Sequence, residues 1–153
     1  MKKYIKDFDL TVIAYCLMPN HYHFLVRQEA EYRSGLLPQR VFNSFTKAYN
    51  IRYGHSGTLF EGPYKAVQVT QESHLRHLCR YIHANPVKDG LVDNLEDWPF
   101  SNYLDWIGKR QGTLVDRAFV EGMFHGAAEY QMFVQDFLIV RELPIEMAQY
   151  LEE

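Results

Sequence analysis

The amino-acid sequence predicts an α+β fold, and three observations carry that prediction. Two runs rich in β-branched and aromatic residues, Thr11–Leu17 and Tyr22–Val26, flank the turn signal Pro19-Asn20 and read as a β-hairpin. Two later stretches, from Pro38 to Tyr53 and from about Gln71 to Ala84, space their apolar residues as helices do. A third, Val115–Leu138, is amphipathic and acidic and reads as one or two helices docked on a core.

Residues 1–10 are short and polar, either a helix end or a lead-in. After the hairpin, Gln28–Gly35 is a polar loop. The helix that follows opens near Pro38 and is stopped by Gly54. Its stripe of Val41, Phe42, Phe45, Ala48, Tyr49 and Tyr53 reads as core, with Arg40 and Lys47 off the stripe. Residues 54–64 are glycine-rich without phosphate-loop spacing, so the glycines serve tight turns, and Lys65–Val69 reads as a short strand.

In the second helix, Thr70 is the expected N-cap and Leu75, Leu78, Cys79 and Ile82 the buried face. His77, Tyr81 and Asn85 recur every four residues and line an adjacent stripe that drifts about 40° per step. Pro86 disfavours helical geometry at Asn85, which places the helix end there. A phenol one turn from an amide can share one space with it. A half-buried tyrosine and an Asn C-cap account for the same spacing. Trp98-Pro99-Phe100-Ser101-Asn102-Tyr103 begins a packed aromatic segment.

With 153 residues, 47% of them hydrophobic, the chain can bury one real core. No apolar run approaches a membrane span and the N-terminus lacks the apolar centre of a signal peptide, so a cytoplasmic protein without membrane partners is expected. Cys16 and Cys79 are too few for a disulfide framework and lack paired zinc-ligand spacing. The net charge of −3 hides an asymmetry. Fourteen Lys and Arg against eleven Asp and Glu leave residues 1–110 at +3, whereas two against eight leave 111–153 at −6. Between residues 32 and 90 eight basic residues face three acidic ones, interleaved with Tyr and Phe, a pattern that suits phosphate contact and base stacking or a plain solvated surface.

His21 and His23 are two apart in a strand, so both imidazoles leave one face and form half of a metal site, or else a polar pair on a solvated face.

Taken together, Ala14-Tyr15-Cys16-Leu17-Met18-Pro19-Asn20-His21-Tyr22-His23-Phe24-Leu25-Val26, Gly57-Thr58-Leu59-Phe60-Glu61-Gly62 and Tyr81-Ile82-His83-Ala84-Asn85-Pro86-Val87 resemble the single-tyrosine HUH transposases. The REP-associated branch is most similar, and Trp98-Pro99-Phe100-Ser101 extends the likeness, which runs from about Asp9 to Leu138.

The resemblance implies a ferredoxin-like antiparallel sheet with helices on one face, over residues 1–110, and an acidic helical extension, 111–153, packed on it. It implies Tyr81 as nucleophile, His21, His23 and Asn85 as ligands of Mg²⁺ or Mn²⁺, and a 5′-phosphotyrosine intermediate in cutting single-stranded or hairpin DNA. Arg40, Lys47, Arg52, Lys65 and Arg80 are the expected DNA contacts, and His77, one turn before Tyr81, reads as a plain surface or DNA-facing histidine, with a candidate proton acceptor as the alternative. The alternative is a catalytically silent hairpin-binding relative. Tyr22 replaces the usual aliphatic residue of the histidine pair, and Pro63 stands where the family commonly has a basic residue. The family's first strand and helix precede the point where this chain starts. Residues 1–10, a second subunit in a homodimer, or direct closure of the two sheet halves is expected to fill that place.

Overall fold

The computed structural model describes residues 2–29 and 35–140, together with Pro144, Met147 and Tyr150. Residues 30–34 of the expected polar loop lie outside them. In chain order the elements are α1 (Lys2–Asp7), β1 (Leu10–Leu17), β2 (Tyr22–Gln28), α2 (Leu36–Tyr53), α3 (Glu72–Lys88), a 3-10 turn at Leu95–Asp97, α4 (Tyr103–Trp106), α5 (Arg117–Met123) and α6 (Ala127–Val140). They divide into two compact units, residues 1–11 with 28–67 and residues 12–27 with 68–153. None of the described helices is long and apolar enough to cross a membrane.

In the first unit α1 meets α2 through Tyr4 Oη and Ser44 Oγ, 3.0 Å apart, and Phe42 packs edge-on against Phe60. Gly54 ends α2 in the left-handed conformation (φ 60°, ψ 26°), where its N–H donates to the Asn50 carbonyl. Two sequence expectations fail here. The α2 stripe is not core: Phe45 is 54% and Tyr53 63% exposed, and only Leu37 on this helix is buried. Periodicity identifies which face is apolar; it does not supply the layer that covers it. Residues 65–69 form no strand, because β-formers become a strand only where a neighbour takes up their backbone bonds.

The sheet among the described residues therefore has two strands, β1 and β2. Lys2–Asp7 is helical and adds no strand to it, and among the described residues there is no second sheet half to close on the first. Met18 N–H to His21 O, 2.9 Å, closes the hairpin turn.

The other edge of β1 is covered by the segment from Trp98 to Trp106. Leu17 N–H donates to Phe100 O, Asn102 N–H to Tyr15 O, and Trp98 Nε1 to Leu17 O. The Asn102 side chain completes the cover. Its Oδ1 accepts from Tyr15 N–H at 2.8 Å, and its Nδ2 donates to Ile13 O at 2.9 Å and Leu114 O at 3.3 Å. One amide thus imitates a paired strand, which explains why so short a segment satisfies the edge.

Helix α3 is the centre of the second unit, with every residue from Leu78 to Pro86 buried except Arg80. It packs on α6 through Tyr81 and Phe137, while Arg76 lies over Phe124 and Arg80 over Phe133. Gln71 rather than Thr70 occupies the N-cap position. Contrary to the sequence expectation, α3 runs through Pro86 to Lys88. Pro86 lacks one donor in the last turn, but the stop signal is four residues further on. Gly90 adopts φ 70°, its N–H donates to Val87 O, and Leu91 N–H reaches Pro86 O, the paired bonds of a Schellman cap. Asn85 consequently stays helical.

His83 ties α3 to the hairpin. Its Nδ1 accepts from the Tyr130 hydroxyl and its Nε2 donates to Asn102 Oδ1 at 2.9 Å, inside a cage of Tyr103, Trp106 and Tyr130 rings. Burial pushes the imidazole down to about 4, against smaller opposing effects of the Asn102 bond and the Asp105 charge. The unfolded chain therefore takes up a proton near pH 6.5 that the folded chain refuses. Stability from this group is complete above pH 6.5 and falls as pH drops toward 4. Urea unfolding is expected to show a loss of about 2 kcal/mol at pH 5 relative to pH 7.5, absent in His83→Gln. Equal losses in both proteins would refute the assignment.

Cys16 and Cys79 are fully buried, the latter on the face the sequence predicted, and burial pushes the Cys16 thiol up to about 12 and that of Cys79 higher still.

Candidate active site

One side of the hairpin and one face of α3 build the site, all within the second unit. His21 and His23 leave the same side, as strand alternation requires, with ring centroids 5.0 Å apart and planes at 81°. The His23 ring meets the Tyr81 ring edge-on at 5.8 Å. Helix geometry sets the remainder. Asn85 is one turn beyond Tyr81 and about 40° round the axis, and Lys88 is two turns beyond and within about 20°.

Asn20 orients the first imidazole. Nδ1 of His21 donates to Asn20 Oδ1 at 2.8 Å, so Nε2 carries the lone pair. That Nε2 is withdrawn from solvent and has no hydrogen-bond partner among the described residues. The same is true of both amide atoms of Asn85, which is 1% exposed. Nε2 of His23 is withdrawn from solvent as well. A buried polar atom left unsatisfied costs about 1–3 kcal/mol, so the His21 nitrogen and the Asn85 amide each call for a ligand. Two imidazole nitrogens and an amide oxygen suit a small divalent cation. The described residues gather no group of three His, Cys, Asp or Glu.

Tyr81 is 5% exposed, and its Oη accepts a hydrogen bond from Lys88 Nζ at 3.1 Å. The same ammonium stands 4.5 Å from the ring centroid. His77, the candidate proton acceptor, instead packs its ring on Phe133 at 5.9 Å. Burial first, and then Arg80, hold its pKa below the ordinary value.

The structure thus brings together His21, His23 and Tyr81, with Asn85 on the same face of α3. Of the expected DNA contacts, Arg40, Lys47, Arg52 and Lys65 are exposed in the first unit, and Arg80 belongs to the second, stacked over Phe133 and Phe137. Sequence reasoning missed Lys88. Its signal was the seven-residue spacing from Tyr81, which a helix ending at Pro86 concealed.

Residues 1–85, which include both histidines, Tyr81 and Asn85, match the family described as transposase, IS200 like. The chain belongs to that family. Among the transposase relatives, a REP-associated tyrosine transposase of Escherichia coli is 26% identical over 114 residues, covering 67% of this chain and 66% of that protein. A protein of the same designation from Haemophilus influenzae is 25% identical over 126 residues, covering 67% and 64%. The chain therefore spans just under two thirds of the length of both. The structure of a REP-associated tyrosine transposase bound to a REP hairpin aligns with TM-score 0.51 at 22% identity, over 75% of this chain and 71% of that one. The α+β transposase fold is shared.

Proposed function

We propose that this transposase-family chain is a DNA endonuclease and strand transferase that cuts single-stranded or hairpin DNA with Tyr81 as nucleophile. The observation that carries the reading is the buried phenol against His23, on the helix face that also bears an unsatisfied amide. Tyr81 Oη attacks the scissile phosphorus and loses its proton to solvent, the P–O3′ bond breaks, and the released 3′ oxygen is protonated. The product is a 5′-phosphotyrosine and a free 3′-OH, which can attack in reverse or be exchanged for another strand. His21, His23 and Asn85 would hold Mg²⁺ or Mn²⁺, which when bound supplies Lewis-acid stabilisation of phosphate charge. Asn20 keeps His21 in the ligating tautomer, and the exposed Arg40, Lys47, Arg52 and Lys65, with Arg80, are assigned to the DNA backbone.

The test is incubation with a hairpin oligonucleotide carrying a single-stranded flank, plus Mn²⁺. A denaturant-stable protein–DNA adduct, mapped by mass spectrometry to the Tyr81 peptide, is the expected result. Hairpin binding without any adduct would favour the catalytically silent alternative. The ligand assignment has its own readout. Without DNA, Mn²⁺ at ten times its Kd is expected to raise Tm by about 4 °C, an effect that His23→Ala removes. Chelator-insensitive Tm in the wild type would refute it.

A further inference from the structure

We propose that Lys88 is a second catalytic residue, whose ammonium holds the Tyr81 oxygen in place and stabilises the negative charge that oxygen carries during attack and release. The inference rests on the nucleophile reading of Tyr81 and adds the group that acts upon it. One contact, given by two distances, carries it. Nζ lies 3.1 Å from Oη, within hydrogen-bond range, and 4.5 Å from the ring centroid, so the side chain folds back on the phenol instead of extending into water. The neighbouring carboxylate, Asp89, is further from Nζ, at 4.0 Å. The ammonium thus pairs with both the phenol and the Asp89 carboxylate, and the phenol oxygen is the nearer partner.

The backbone explains why this contact exists. Tyr81 and Lys88 share a face only because α3 continues through Pro86, and Gly90 sets the stop just beyond Lys88. A helix ending at Asn85 would leave the phenol without its cation.

The chemistry balances without another reactant. The ammonium has no lone pair and takes no proton from the phenol; it donates a hydrogen bond throughout. That hydrogen bond is charge-assisted from the ammonium side throughout, and it is strongest while the phenolic proton has departed to solvent and the O–P bond is only partly formed. When a 3′-OH attacks the phosphotyrosine, the P–Oη bond breaks and the same ammonium meets the departing phenoxide. A donor aimed at a reacting oxygen typically accounts for about 10²–10³ in rate. Lys88 should therefore act on both cleavage and resealing, which a DNA-backbone contact would not do in equal measure.

The experiment measures single-turnover cleavage of a hairpin oligonucleotide by the full chain with Mn²⁺, beside equilibrium binding of an uncleavable analogue and the melting temperature. Lys88→Met is expected to cleave about 10²–10³-fold more slowly, with affinity within twofold and Tm nearly unchanged, as its 29% side-chain exposure permits. A second variant guards against misfolding. In Lys88→Cys, alkylation with bromoethylamine rebuilds an ammonium at the same reach, while Cys16 and Cys79, fully buried, are spared. Restored cleavage after alkylation supports the assignment. Lys88→Met cutting within threefold of wild type overturns it, as does a loss of affinity equal to the loss of rate. A wild-type chain that forms no adduct overturns the Tyr81 reading and this one together, which keeps the two failures distinguishable.

Discussion

A Tyr81→Phe protein is expected to form no covalent adduct with hairpin DNA, a loss of at least about 10⁴-fold, while folding and binding as the wild type does. The substitution removes a single atom. The ring keeps its edge-on contact with His23 and its contact with Phe137, so packing between α3, the hairpin and α6 persists. The lost oxygen accepts a hydrogen bond from Lys88, whose head group is partly exposed and can turn to water. The stability change should therefore stay below about 1 kcal/mol. Adduct formation in a denaturing gel, hairpin affinity and Tm together decide the matter. A Tyr81→Phe chain that still links to DNA would transfer the nucleophile to another residue and end the proposal.

Asn102→Ala should be the most destabilising of the substitutions considered, at about 3–4 kcal/mol, or roughly 10 °C in Tm. Its amide is wholly buried and uses all its capacity, on Tyr15 N–H, His83 Nε2–H, Ile13 O and Leu114 O. Alanine leaves the first two donors stranded. Ile13 O retains Trp106 Nε1 at 3.2 Å, which moderates the loss. The consequence reaches the chemistry without any contact to DNA, because the Asn102–His83 link fixes α3 against the hairpin. Cleavage should fall along with stability, and urea unfolding gives the number. A loss under 1 kcal/mol would show that the amide is replaceable.

The hairpin and its histidines were legible because strand alternation is a local rule, and Tyr81 and Asn85 because helical spacing is another. The errors came from rules with a wider reach. Pro86 biases the residue before it away from helix, yet α3 is buried nearly all round, and packing outweighed one missing donor. That error hid Lys88. The aromatic stripe of α2 named an apolar face correctly but could not reveal that Phe45 and Tyr53 stay exposed. Asn102 stood unremarked among aromatic neighbours, since nothing local marks an amide that will cap a strand 87 residues away. The Lys65–Val69 run had β-forming residues without a partner strand to define it.

The occupied flank of β1 has a geometric corollary. With Asn102, Trp98 and Phe100 seated on that border, the β1 side of the sheet is closed to a further strand. Growth on that side is thereby excluded, and the hairpin that presents His21 and His23 keeps a fixed border.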